Sequence, residues 1–188
     1  MVTAMASPIP GFPDLTRAAR SAFRFEAAEL FVQAHGRVLD VSPVSVESAL
    51  SSVDSYQHHP DSLDGADGTY DTVISVLRST VEGSLSDLAS ELARLVAPDG
   101  RLLFIEPTRT NGITGRVQRF GRVATRISAQ LRLHTGFRIA LWRAGLSVIE
   151  VERKELPRAW PLTSVAVGVA IPSPKMPDGD MPTSFGVG

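Results

Sequence analysis

Residues 92–107 read LARLVAPDGRLLFIEP, and the fold turns on how this stretch is parsed. Leu85, Leu88, Leu92, Leu95 and Val96 form one apolar stripe at helical spacing, behind Ser84 as the cap. Pro98-Asp99-Gly100 stops that helix, and Arg101 to Ile105 follows as a short apolar run with the pattern of a strand buried on both faces. A helix, a tight turn and a doubly buried strand make one repeat unit of a parallel sheet covered by helices.

The rest of the chain extends this unit. Upstream, Asp14 caps a helix over Leu15 to Gln33, and Arg37 to Val41 and Tyr70 to Leu77 read as strands. Pro43 to Thr69 shows no clear apolar period: VSVESALSSV suits a strand or a short helix, and HHPDSLDGADG is a turn-rich loop. Downstream, the spacing predicts helices over residues 114–133 and Thr135 to Ala144, the second stopped by Gly145. Leu146 to Arg153 and Ser164 to Ile171 are the last strands. The segment between them, Glu155 to Thr163, is too short for a helical crossover, so they pair antiparallel. The expectation is an α/β three-layer sandwich with a Rossmann-like, mostly parallel sheet and an antiparallel C-terminal strand pair. Residues 1–13 read as a flexible leader, 14–171 as the domain and 172–188, rich in proline and glycine, as a flexible tail.

Composition narrows the function classes. The chain has 188 residues, 43 % of them hydrophobic and 21 % charged, which suits one globular domain. A net charge of −1 argues against nucleic-acid binding. Without cysteine there is no disulfide, thiol chemistry or cysteine metal site, and the expected compartment is the cytoplasm. No apolar run is long enough to span a bilayer, and the N-terminus lacks the pattern of a secretory signal. No metal site is expected, since His58-His59 stand without other ligands at metal spacing.

Four blocks, in order, resemble the class I S-adenosylmethionine (SAM)-dependent methyltransferases of the small-molecule type. They are GRVLDV (36–41), DSLDGADGTYDTVISV (61–76), LARLVAPDGRLLFIEP (92–107) and HTGFRIALWRAGLSVIEVERKELP (134–157). The resemblance implies a SAM cofactor and a small-molecule or lipid acceptor. It also exposes two departures. Where the family has a glycine-rich turn after its first strand, this chain has Asp40-Val41-Ser42-Pro43-Val44-Ser45-Val46, without one glycine. Glycines there let the backbone approach the cofactor with its amides turned toward it. Pro43 has no amide donor, and the valines add β-branched bulk. Secondly, Asp40 and Asp71 are 31 positions apart, too close for two full strand–helix units when one complete βαβ takes ~30 residues or more. The fold is therefore expected to be shortened between strands 1 and 4, at the adenosine end of the cofactor.

Carried over onto this sequence, the cofactor-side candidates are Asp40, Ser42, Asp54 and Asp64, with Glu47 a further carboxylate before the loop. Asp61 and Asp64 suit either the adenine amino group or simple turn-holding. No catalytic side chain is obligatory, because methyl transfer depends mainly on holding acceptor and sulfonium in line. Glu106 and His134 are the acceptor-side candidates, with a carboxylate that caps a turn before Pro107 the alternative for Glu106. Between Pro107 and Val148 there are eight arginines and no Asp or Glu. Arg119, Arg122 and Arg126 lie beside the apolar face of the 114–133 helix, and with Arg116 they suit an anionic ligand, a peripheral membrane contact, a protein partner or the acidic half of the chain itself. An oligomer is compatible with the apolar helices. Two functions follow: a SAM-dependent methyltransferase-like protein with an eroded cofactor site, or a non-catalytic pseudo-methyltransferase that acts as a binding or assembly partner through its arginine-rich helix.

Overall fold

The computed structural model describes residues 28–43, 45–63, 65, 67–80, 84–107, 133–155 and 164–173. In chain order these form α1 (Ala28–Phe31), β1 (Arg37–Asp40), a 3-10 turn (Glu47–Ala49), β2 (Ser55–His58), β3 (Tyr70–Val76) and a second 3-10 turn (Arg78–Thr80). Then come α2 (Leu85–Leu95), β4 (Val96–Pro107), α3 (Leu133–Arg143), β5 (Leu146–Glu155) and β6 (Ser164–Pro172). The expected leader, all but the last residue of the 114–133 helix, most of the first helix and all but the start of the tail lie outside the described residues.

The strands form one sheet in the order β2-β1-β3-β4-β6-β5. β1 to β4 run parallel, and β6 is antiparallel to both β4 and β5. This is the α/β, Rossmann-like arrangement expected, with the antiparallel pair at the C-terminal end. Alternation along the strands divides the core. Val38, Ile74, Val76, Leu103 and Ile105 pack on one face with Leu30, Phe31 and Val46. Leu39, Val73, Leu102 and Phe104 pack on the other with Leu88 and Leu92 of α2 and Phe137 and Leu141 of α3. The Phe104 and Phe137 rings meet edge to face, with centroids 5.5 Å apart.

The unit at residues 84–107 folds as its sequence dictates, with one refinement. The Ser84 hydroxyl accepts the Asp87 amide at 3.2 Å and starts α2. The helix ends at Leu95, and β4 starts at once with Val96, opposite Tyr70; pairing with β3 then skips to Arg101 opposite Thr72. Ala97 to Gly100 is thus an excursion within the strand rather than a separating turn. Gly100 is required there, because a Cβ would stand 2.9 Å from the Tyr70 carbonyl oxygen and 3.1 Å from the Ala97 nitrogen.

Between β1 and β3 the described chain holds one strand, β2, and a three-residue 3-10 turn instead of a crossover helix. β2 was hidden in the unreadable stretch for a physical reason. It is a four-residue edge strand, SYQH, with Ser55 and Gln57 exposed and Tyr56 and His58 half-buried, so it has no apolar run to announce it.

Candidate functional site at the carboxyl edge

Strand order reverses between β1, which leads outward to β2, and β3, which leads inward to β4. In open α/β sheets the crevice beyond the carboxyl ends at such a reversal is where ligands bind. Here that edge carries most of the buried polar side chains among the described residues: Asp40, Ser42, Ser75, Arg78, Ser79 and Glu106.

Asp40 ends β1 and is fully buried. Its Oδ1 accepts the Ser42 amide at 2.9 Å, and its Oδ2 accepts the Val46 amide at 3.0 Å and the Tyr56 hydroxyl at 2.6 Å. Burial pushes its proton affinity up, against the pull of the Ser42 and Tyr56 hydroxyls and the two amides. Burial and then the neighbouring Asp40 charge push the Tyr56 phenol above its usual range. Ser42 is used just as fully. Its hydroxyl accepts the Val76 amide at 3.1 Å, bridging β1 and β3 at the reversal itself, and its carbonyl lies 2.8 Å from His58 Nε2. Val46 is 2 % exposed and belongs to the core.

These residues do not fit SAM in the manner of a glycine-rich turn. The amides of Ser42 and Val46 are directed at the chain's own carboxylate, Pro43 has none, and both oxygens of Asp40 are occupied. The resemblance implies an acidic residue for the ribose hydroxyls roughly twenty positions after the first strand, and β2 ends in His58 opposite Asp40. Val44 and Asp64 lie outside the described residues. Asp54 precedes β2 and so stands at the amino edge, its amide bonded to the Gly36 carbonyl at 2.9 Å. The structure thus brings Asp40 and Ser42 together and places Asp54 at the other end of the sheet. Glu47 sits exposed on the first 3-10 turn.

Glu106 is the penultimate residue of β4 and is 2 % exposed. Its Oε1 accepts the Ser75 hydroxyl at 3.1 Å, and its Oε2 accepts the Ser79 amide at 3.3 Å and the Ser79 hydroxyl. It thereby ties β4 to β3 and to the second 3-10 turn. Burial, partly offset by these bonds, raises its pKa to about 7. The Arg78 guanidinium reaches the other way, to the Pro60 carbonyl in the loop after β2. His134 lies at the start of α3, and its side chain is outside the described residues, as are Arg116, Arg119, Arg122 and Arg126.

Sequence reasoning missed Tyr56, Ser75, Arg78 and Ser79. Ser75 and Ser79 carried a usable signal, because a polar residue inside or just after a buried apolar strand needs a partner. Tyr56 and Arg78 carried none, since their partners come from segments far apart in the chain. Among the described residues no group of three His, Asp or Glu is placed to hold a metal ion. No described helix is long and apolar enough to cross a membrane.

No protein-family model matches the sequence, and no curated protein matches it significantly. Solved structures do match. A possible exported protein from Bordetella parapertussis is 16 % identical with a TM-score of 0.55, over 84 % of this chain and 68 % of that one. A chain of the "complex between the Haloferax volcanii Trm112 methyltransferase activator and the putative methyltransferase" is 12 % identical with a TM-score of 0.55, over 90 % and 99 %. The SAM-dependent methyltransferase from Mesorhizobium loti is 15 % identical with a TM-score of 0.52, over 81 % and 97 %. At these identities the likeness is one of architecture, and the architecture is that of the class I SAM-dependent methyltransferases.

Proposed function

We propose that this chain is a SAM-dependent methyltransferase-like protein, of the kind that methylates a small molecule or lipid, in which the cofactor site has eroded. The observation that carries the proposal is the Asp40 cluster. It sits at the position in the fold where a cofactor loop belongs, and its hydrogen-bonding capacity is spent within the chain. The likeness to SAM-dependent methyltransferase structures supports the lineage. Incubation with methyl-labelled SAM at millimolar concentration, with cytosolic small molecules and lipids as acceptors, tests it. Slow label transfer that does not saturate with SAM is the expected result. Complete absence of transfer would remove the catalytic half of the proposal.

The closure of the loop by Ser42 and the burial of Val46 favour a second function, that of a non-catalytic binding or assembly partner. The sequence-read arginines Arg116, Arg119, Arg122 and Arg126 would supply its contact with an anionic membrane or a protein. One structural neighbour comes from a complex of a methyltransferase with its activator. Changing Arg119 and Arg122 together to Glu is expected to abolish capture of anionic liposomes or of a protein partner without shifting the melting temperature. Wild-type capture by the double variant would contradict this function.

A further inference from the structure

The turn that follows β3 is held in an unfavourable conformation by the Glu106 side chain and by backbone carbonyls of two other segments, Ile105 in β4 and Pro60 after β2. Leu77 has φ +55°, the left-handed region that costs a non-glycine residue with a buried side chain. Its amide donates to the Ile105 carbonyl at 2.7 Å. One residue on, the Arg78 guanidinium is tied to Pro60; the next, Ser79, gives both its amide and its hydroxyl to Glu106. Such strain persists only where the surroundings over-determine it. Glu106 supplies much of that determination, because one carboxylate joins the end of β4 to Ser75 in β3 and to Ser79 in the turn.

We infer that Glu106 is a latch that holds the Leu77–Thr80 turn closed over the carboxyl edge, and that its release opens this wall of the crevice. The inference stands whether or not the crevice takes SAM. The surroundings isolate the latch. β6 opposes Glu106 with Ala166, β3 offers Ser75, and α2 and α3 turn Leu88, Leu92, Phe137 and Leu141 to this face of the sheet. Asp40 is turned to the opposite face, with Tyr56 and Val46. The turn itself contributes Arg78, which is buried and whose guanidinium donates to the Pro60 carbonyl.

The latch responds to pH. The ordinary glutamate value is 4.5, and burial raises it to about 7 in the fold. The folded chain therefore keeps a proton that the opened chain releases. The stability contributed by that proton is complete below 4.5 and is lost as pH rises through about 7. Above that point the buried carboxylate favours opening.

Amide hydrogen exchange on the full chain, corrected for intrinsic exchange, tests the latch between about pH 5.5 and 8.5. In the wild type, protection at Leu77 and Ser79 is expected to fall at least ~10-fold across that range, while Leu103 and Phe104 in β4 stay protected. Glu106→Gln keeps an acceptor for the Ser79 amide and cannot ionise, so its protection is expected to be flat with pH. Ser79→Ala removes one bond to the latch and is expected to lower protection at Leu77 at every pH. A Glu106→Gln variant with the wild-type pH slope overturns the inference, as does a Ser79→Ala variant with unchanged protection.

Discussion

Replacing Asp40 with alanine is expected to cost about 4 kcal/mol of folding stability. The substitution strands three donors at once, the Ser42 amide, the Val46 amide and the Tyr56 hydroxyl, around a site with no exposed surface. Each buried, unsatisfied donor costs roughly 1–3 kcal/mol, and the Tyr56 hydroxyl, half-buried and 2.7 Å from Ser45, contributes at the low end. Asp40→Asn keeps one acceptor oxygen and is expected to lose about half as much. Urea denaturation of the three proteins measures the series. A loss below ~1 kcal/mol for alanine would mean that water satisfies the loop and that Asp40 does not organise it.

Gly168→Ala is expected to destabilise by about 3 kcal/mol. A Cβ at position 168 would stand 2.5 Å from Phe104 Cζ and 2.6 Å from the Glu150 carbonyl oxygen. Neither obstacle yields readily. Phe104 is buried and braced by Phe137, and Glu150 O is backbone where the β5 register shifts between Val148 and Glu150. The same substitution at Gly136 should have the opposite sign. A Cβ there meets only Leu85 Cδ1, at 3.5 Å, and alanine gains up to ~1 kcal/mol of helix propensity inside α3. Thermal melts of the two variants, run together, separate close packing from a general effect of alanine.

How much of this molecule is legible in its sequence follows from the kind of signal each part carries. The stripe at Leu88, Leu92 and Leu95 and the runs RVLD, YDTVISV and RLLFI are decided by burial, which repeats locally and can be read locally. The antiparallel end was legible because Glu155 to Thr163 is too short to cross the sheet. β2 was not, since an edge strand with half its residues in water leaves no apolar period. The site divides in the same way. Asp40, Ser42 and Glu106 end or follow readable strands, so local pattern is enough to place them at the carboxyl edge. Asp54 was chosen by its distance along the chain, and β2 turned out to start there rather than end, which puts it at the amino edge. Tyr56 entered the Asp40 cluster through the pairing of β2 with β1, a contact between segments that local pattern does not encode.

The loop after β1 spends its Ser42 and Val46 amides on Asp40, which leaves neither for a cofactor. Calorimetric titration of the full chain, freed of bound ligand, with S-adenosylhomocysteine tests this most directly. The prediction is no saturation below ~1 mM, a binding free energy weaker than about −4 kcal/mol. Saturable binding near ~1 μM, about −8 kcal/mol, would contradict the claim. It would mean that the carboxyl edge builds a working cofactor site from donors other than the amides of Ser42 and Val46.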